Sequence, residues 1–230
     1  MDELNKNYIP LEDDEFNIEL LPEEYPQYDI SFKIIVIGDS FVGKSSLTSQ
    51  AVRNKFIDFY QTTIGFEFLT FNLRMNSQVV KLQVWDTCGQ EVYKSLISNF
   101  YRNSSLALIV YAINNRKSFE HAINWLKELK ETSNPNIKIF LVGNKCDLEN
   151  DRVVSKEEGN NFKEEQNLDK FVETSAKTGQ NARNVLLDAA KMLFKEYMKN
   201  KDKLSTIGSE SVEENHLEKQ DKHSGKKCCN

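Results

Sequence analysis

The feature that most limits what this chain can fold into is the eight-residue segment GDSFVGKS, from Gly38 to Ser45. It matches the pattern GxxxxGK[ST], and it lies between a short β-branched run, residues 32–37, and a helical pattern, residues 44–53. In this context the backbone N–H groups of the loop converge on phosphate oxygens, and the helix N-terminus adds positive potential. The sequence therefore predicts a phosphate-binding loop, in which Lys44 reaches the phosphates and the Ser45 hydroxyl can ligate Mg²⁺.

Further apolar runs follow, and they alternate with helical patterns; these runs are residues 66–74, 79–85, 106–112, 137–142 and 170–173. Strands that alternate with helices favour a mostly parallel sheet covered on both faces. The first two runs flank a polar turn and predict a hairpin, which adds an antiparallel strand. We expect an α/β fold of three layers, with a six-stranded, mostly parallel sheet, one antiparallel strand and helices on both faces.

Charge is distributed unevenly along the 230 residues, although the formal net charge is only −5. The first thirty residues hold ten acidic residues and one lysine. Such a segment buries little apolar surface, so we expect residues 1–30 to be a disordered acidic arm, residues 31–200 the folded domain and residues 201–230 a flexible tail. A nucleic-acid binder usually has a basic excess, so that class is not expected. Neither a transmembrane helix nor secretion is expected, because long apolar and leader-like segments are missing.

Polar motifs also follow other predicted strands. Asp86, Gly89 and Gln90 come at the end of the run 79–85. A carboxylate there can hold Mg²⁺, usually through water, a glycine lets its N–H approach a γ-phosphate, and a glutamine can orient an attacking water. This motif alone is weak evidence, because D-x-x-G occurs in many turns.

Two further motifs are suited to recognising a base. Asp147 can accept hydrogen bonds from guanine N1 and N2, which adenine does not offer, so a site built around it discriminates strongly. Asn144 would tie this loop to the phosphate loop, and the stem of Lys145 can lie along the base plane. The last strand is followed by Ser175, Ala176 and Lys177, of which Ala176 offers an N–H to guanine O6.

The order and spacing of these four motifs, each at a strand end, resembles the Ras superfamily of small GTPases over residues 31–200. Residues 64–68, IGFEF, are similar to the IGxxF stretch of the Rab family, and the terminal residues Lys227, Cys228, Cys229 and Asn230 resemble its paired-cysteine terminus. The resemblance implies phosphate contacts from Ser40, Phe41, Val42, Gly43, Lys44, Ser45, Ser46, Thr63 and Gly89. It implies guanine contacts from Phe56, Asn144, Lys145, Asp147, Ser175, Ala176 and Lys177. It implies Mg²⁺ ligation by Ser45, Thr63 and, through water, Asp86, catalysis by Gln90 and Lys44, and prenylation of Cys228 and Cys229.

The same resemblance implies what the protein does. A Rab-like GTPase cycles between GDP and GTP, hydrolyses GTP with Mg²⁺, and recruits effectors in vesicle traffic, here through a surface formed by Phe66, Phe68, Trp85 and Tyr101. Its implied partners are an exchange factor, a GTPase-activating protein, a GDP dissociation inhibitor, an escort protein and a prenyltransferase. It is expected to be a monomer, held by its lipid anchor on the cytoplasmic face of an intracellular membrane, with a cytosolic pool. Residues 68–69, 82–83 and 95–97 are similar to the Golgi-associated subgroup.

Two departures from the family pattern leave alternatives open. Phe41 stands where most relatives have a small residue, and Cys88 stands where alanine is usual. Either could make the chain a nucleotide-locked scaffold that only recruits partners. A metabolic ATPase or kinase is a third class, which Asp147 and Ala176 disfavour. Trp125 belongs to a helix with an apolar face, and we expect it to pack in the core.

Overall fold

The computed structural model describes residues 10–11, 16–56, 66–87 and 101–217. The strands among these residues are β1 (Pro10–Leu11), β2 (Ile18–Leu21), β3 (Ile30–Ile37), β4 (Phe66–Met75), β5 (Gln78–Thr87), β6 (Leu106–Ala112), β7 (Lys138–Asn144) and β8 (Lys170–Glu173). Five α-helices have both their first and their last residue among the described residues: α1 (Lys44–Arg53), α2 (Arg116–Glu120), α3 (Ala122–Thr132), α4 (Lys156–Glu165) and α5 (Ala182–Leu217). Glu149–Asp151 forms a short 3₁₀ helix.

The strands form one sheet in the order β1-β2-β4-β5-β3-β6-β7-β8. Pairing is parallel from β5 through β3, β6 and β7 to β8, and β4 runs antiparallel to β5. The predicted α/β fold is confirmed, because β3 to β8 are the six expected strands with a single antiparallel member. Since parallel strands end at one edge of a sheet, the loops after β3, β7 and β8 are brought together there, and β5 ends at the same edge.

Strand β3 lies in the middle of the sheet and is buried on both faces. Its last four residues, from Ile34 to Ile37, have no solvent-exposed surface. Ile35 and Ile37 belong to a core cluster with Trp125, Leu126 and Leu129 of α3. The alternate residues point to the opposite face of the sheet, where α1 packs against β4 and β5. This two-sided burial explains why the sequence shows a continuous apolar run there.

The predicted hairpin is also confirmed, and the structure shows how helix α4 begins. The runs around residues 66–85 form the β4–β5 hairpin, whose turn begins at Asn76 with φ 55°, a left-handed conformation that asparagine tolerates. Ser155 caps α4 and accepts a hydrogen bond from the Glu158 N–H, while the Glu158 side chain accepts one from the Ser155 N–H. This capping box satisfies two backbone donors at the start of the helix.

Residues 16–30 correct one expectation, that the first thirty residues form a disordered arm. β2 pairs antiparallel with β4, with Ile18 opposite Met75 and Leu21 opposite Asn72. Ile18 is 1% exposed and Leu21 is 8% exposed. The sheet therefore has two more strands than the six expected, β1 and β2. A four-residue strand next to a run of acidic residues is too short to give a clear sequence signal.

Polar contacts fix the segment that follows β2. The buried Asn72 side chain donates from Nδ2 to the carbonyls of Pro22 and Glu23, at 2.8 and 2.9 Å. Arg53 donates from Nε and Nη2 to the two Glu23 carboxylate oxygens, at 2.8 and 3.0 Å. The Arg53 side chain is 43% exposed, so this ion pair contributes only about 0.2–1 kcal/mol. Apolar burial and backbone pairing therefore hold this segment more than charge does.

The C-terminal part of the chain also differs from expectation. Helix α5 continues to Leu217, whereas the sequence predicted a flexible tail from residue 201. Straight-chain residues such as Lys203 and Glu213 have high helix propensity, which favours this extension. The structure divides into two compact units, one ending at Lys191 and one beginning at Met192. The assignment of residues 31–200 as the folded domain stays a prediction. Within the described residues, no helix is long and apolar enough to span a bilayer.

We predict that Ile18→Ala lowers the free energy of unfolding by about 2–5 kcal/mol, the usual cost of truncating a buried isoleucine. Urea denaturation of both proteins measures this. Gln27→Ala is the matched control, because Gln27 is exposed in the same segment, and we expect a change within about 0.5 kcal/mol. Equal stability of the two variants would contradict the packing of β2 against the domain.

Candidate functional site

The segment between β3 and α1 forms a tight loop that needs glycine at both ends. Gly38 has φ 141°, and a Cβ there would lie 2.1 Å from the Val110 carbonyl oxygen. Gly43 has φ 92°, and a Cβ there would lie 2.6 Å from Nδ2 of Asn144. Larger residues at either position would collide with backbone or with a buried side chain. The loop is therefore held close to the ends of β6 and β7.

The start of α1 is suited to an anion. No side chain caps its first turn, and no acidic residue lies there. The first N–H groups of the helix, including those of Ser45 and Ser46, thus carry the positive end of the helix dipole. Lys44 is 5% exposed, and its Nζ donates to the carbonyls of Gly38 and Asp39, both at 2.8 Å. A buried ammonium and a helix N-terminus without a side-chain cap lie at one loop, and this combination is suited to binding phosphate.

Phe41 has a backbone conformation that is unusual for an aromatic residue. Its φ is 67°, in the left-handed region, and its side chain is 63% exposed. Its carbonyl accepts a hydrogen bond from Nζ of Lys145 at 2.7 Å. The exposed ring therefore does not fill the loop that the backbone encloses. Ser40 precedes it in the same turn, and Val42 follows it, fully buried.

Asp86 lies at the end of β5, next to the start of α1. It is 0% exposed, and its Oδ2 accepts a hydrogen bond from the Ser45 hydroxyl. Its Oδ1 has no hydrogen-bond partner among the described residues. Burial raises the pKa of Asp86 to about 6, and the hydrogen bond from Ser45 and the charge of Lys44 act in the opposite direction.

This arrangement fits Mg²⁺. The ion prefers hard oxygen donors such as a carboxylate and a hydroxyl, and it keeps several waters. Asp86 offers a buried oxygen that lacks a partner in the described structure, and Ser45 offers its hydroxyl beside it. A cation here would stabilise the charged form of a carboxylate that burial destabilises. The third predicted ligand, Thr63, lies outside the described residues.

Asn144, at the end of β7, connects three loops. Its Nδ2 donates to the Val42 carbonyl at 2.9 Å. Its Oδ1 accepts from the Thr174 hydroxyl at 3.1 Å and from the Ala176 N–H at 3.2 Å. Asn144 is fully buried, so these bonds are protected from water. The predicted tie between the base loop and the phosphate loop is thus present as a direct hydrogen bond.

The other predicted base-binding residues surround this asparagine. Asp147 Oδ1 accepts a hydrogen bond from the Ser175 hydroxyl at 2.6 Å. Lys145 has φ 66°, and burial lowers its pKa while the Asp147 charge partly offsets that effect. Phe56, after α1, is 36% exposed, and Lys177 is exposed. The structure thus brings Asn144, Lys145 and Asp147 together with the loop after β8, and their roles toward a nucleotide stay predictions.

Several predicted residues lie outside the described part of the chain: Thr63, Cys88, Gly89, Gln90, Cys228 and Cys229. The sequence analysis did not predict the hydrogen bond from the Thr174 hydroxyl to Asn144. The only feature of the sequence that could have indicated this bond is the position of Thr174, directly before Ser175 at a strand end.

One residue of the predicted effector surface is corrected, because Tyr101 is 0% exposed and its hydroxyl donates to Glu128. Phe66 and Phe68 are exposed, and each ring centroid lies 5.2 Å from that of Trp85.

Comparison with known proteins agrees with this geometry. A family model described as the Ras family matches residues 33–195. The chain is 41% identical over 185 residues to Ras-related protein Rab11D of Lotus japonicus, covering 80% of this chain and 84% of that protein. It is 44% identical over 164 residues to Ras-related protein Rab-5A of Dictyostelium discoideum, covering 71% and 81%. It is 40% identical over 185 residues to Ras-related protein RABA1b of Arabidopsis thaliana, covering 80% and 85%.

The matched range includes the phosphate loop, Asp86, Asn144 and the loop after β8, the parts that the structure brings to one edge of the sheet. Each of these relatives is matched over more than four fifths of its length. The chain therefore belongs to the Ras family and, within it, to the Rab small GTPases, the GTP-hydrolysing proteins of membrane traffic.

Proposed function

We propose that this Rab protein holds GDP and GTP between the phosphate loop and the two loops after β7 and β8. The observation that carries the proposal is the side chain of Asn144. It donates to Val42 in the phosphate loop and accepts from Ala176 in the last loop. A guanine nucleotide has phosphates at one end and a base at the other, so it would contact both loops that this one amide joins. Asp147 would then select guanine, because a wrong base would leave its carboxylate without the donors that guanine N1 and N2 offer.

Phosphoryl transfer to water depends on positioning and on neutralising charge, and we assign these tasks to separate residues. The Lys44 ammonium would pair with the β- and γ-phosphates, and the N–H groups of residues 40–46 would cradle them. Ser45, Asp86 and Thr63 are the residues that would hold Mg²⁺. When bound, this ion would supply positive charge that stabilises the negative charge developing during the transfer. Gln90 would orient the attacking water, and Gly89 would donate its N–H to the γ-phosphate.

The proposed cycle also needs other proteins. Unassisted hydrolysis by Ras-type GTPases is slow, on the order of 10⁻⁴ s⁻¹, so an activating protein is expected to supply the missing charge. An exchange factor would release GDP. Effectors would bind the GTP form, and the exposed rings of Phe66 and Phe68 beside Trp85 are the apolar surface that we assign to them.

Membrane attachment is assigned to Cys228 and Cys229. One lipid chain binds a bilayer marginally and two bind it stably, so a doubly prenylated terminus is expected to hold the protein on an endomembrane. Lys226 and Lys227 add only about 1 kcal/mol each near an anionic surface. An escort protein with a prenyltransferase would attach the lipids, and a GDP dissociation inhibitor would maintain a cytosolic pool. The Golgi remains the candidate compartment on sequence similarity alone.

We predict that Gln90→Leu reduces hydrolysis stimulated by an activating protein about 100-fold or more, because the attacking water loses its orienting group. GTP binding should be unchanged. Gln27→Leu is the matched control, since it makes the same change at an exposed residue that is remote from Gln90 in the sequence. Single-turnover phosphate release measures the rate. Unchanged stimulated hydrolysis in Gln90→Leu would remove this residue from the mechanism.

We predict that the double substitution of Cys228 and Cys229 by serine leaves the protein in the soluble fraction of cells. Each single substitution should give a reversible, intermediate distribution, because one chain remains. Ultracentrifugation of cell lysates with quantitative immunoblotting measures the membrane-bound fraction. If the double variant still sediments with membranes, the lipid anchor is not what attaches the protein.

A further inference from the structure

Asp39 places a carboxylate inside the loop that binds phosphate. It follows Gly38 directly, and its backbone carbonyl accepts a hydrogen bond from Nζ of Lys44 at 2.8 Å. A negative side chain in such a loop repels an anionic ligand unless it is paired and turned away. The Asp39 carboxylate is paired and turned away, because two side chains from the helical segment after β6 bind it.

The two partners use different oxygens of that carboxylate. Nε1 of Trp125 donates to Oδ1 at 2.8 Å. Nδ1 of His121 lies 2.7 Å from Oδ2. The backbone N–H of Trp125 also donates to the His121 carbonyl at 3.2 Å, so the two residues are one helical turn apart on the same face. Both oxygens of Asp39 are therefore directed toward α3.

The two partners differ in how firmly they are held. Trp125 is 4% exposed and belongs to the core cluster that includes Ile35 and Ile37 of β3. Its indole is therefore fixed by packing before it makes the hydrogen bond. The His121 side chain is 47% exposed, at the junction of α2 and α3. A buried donor to a charged acceptor contributes more than an exposed one, so Trp125 is the stronger anchor.

We propose that Trp125 and His121 are positioning residues of the nucleotide site, which act through Asp39 to hold the phosphate loop. The path is continuous: the core fixes the indole, the indole holds the Asp39 carboxylate, and the Asp39 carbonyl binds the Lys44 ammonium. The inference rests on the proposed function, since it assumes that the phosphate loop holds GDP and GTP. Trp125 then has a role in the nucleotide site in addition to the core packing that the sequence predicted.

The test is a double-mutant cycle on GDP release. Trp125→Phe keeps an aromatic ring in the core and removes only the N–H donor. We expect it to speed the release of a fluorescent GDP analogue about tenfold, measured in Mg²⁺ by displacement with excess GDP. In the Asp39→Ala protein the acceptor is missing, so adding Trp125→Phe should then change the rate less than twofold.

A second variant covers the case in which Trp125→Phe does not fold. His121→Ala alters an exposed side chain, and we expect it to speed GDP release two- to threefold in the natural protein and not at all in Asp39→Ala. If the substitutions at Trp125 and His121 speed release equally with and without Asp39, they act through packing and the proposal is overturned. Unchanged release in all variants would overturn it as well.

A spectroscopic readout separates positioning from general stability. The chain has two tryptophans, so Trp85→Phe leaves Trp125 as the only one. Its emission should shift when GDP is removed with a chelator of Mg²⁺, and this shift should be lost in the added Asp39→Ala background. If the protein binds no guanine nucleotide at all, the proposed function fails. If it binds GDP while Trp125 emission and the cycle show no coupling to Asp39, only this inference fails.

Discussion

Both polar atoms of the buried Asn144 side chain form hydrogen bonds. Its amide nitrogen binds the carbonyls of Val42 and Gly43, and its oxygen accepts from Thr174 and Ala176. Loss of this side chain would leave buried donors and acceptors unpaired, at about 1–3 kcal/mol each. The loops after β3, β7 and β8 come from three different strands, and this one amide sets the distances among them. The proposed nucleotide site thus depends on a contact that is fully buried.

The candidate site contains a buried carboxylate, Asp86, and this distinguishes it from the protein surface. Asp86 has its pKa raised by burial to about 6, and its Oδ1 has no partner among the described residues. Glu158 shows the opposite case, since its pKa is lowered to about 2 by the Ser155 N–H and by Arg116. The first carboxylate is destabilised as an anion and suits a cation, whereas the second is already paired by the N-cap of its own helix and by Arg116 of α2. The two shifts therefore support a binding role for Asp86 and a structural role for Glu158.

Much of this architecture could be predicted from the sequence, because phosphate binding requires particular residue types at fixed spacing along the chain. A phosphate loop needs glycine where a Cβ would collide, as at Gly38 and Gly43, and a lysine directly after. The six strands β3 to β8 were visible as apolar runs. β2 was missed because its burial depends on an edge of β4 that only the fold creates. The contact between Trp125 and Asp39 was missed because an aromatic residue on the apolar face of a helix gives no sequence signal for a polar partner. Tyr101 was assigned to a surface, although the sequence does not reveal exposure.

A Rab protein that completes its cycle carries a guanine nucleotide and hydrolyses GTP. The identity of the nucleotide in freshly purified protein, released by denaturation and resolved by chromatography, tests both properties together. We expect GDP at close to one equivalent per chain, because the guanine site would retain the product of a completed turnover. Bound adenine nucleotide would contradict the role of Asp147, and bound GTP or an empty site would favour a scaffold in which Phe41 or Cys88 has stopped the cycle.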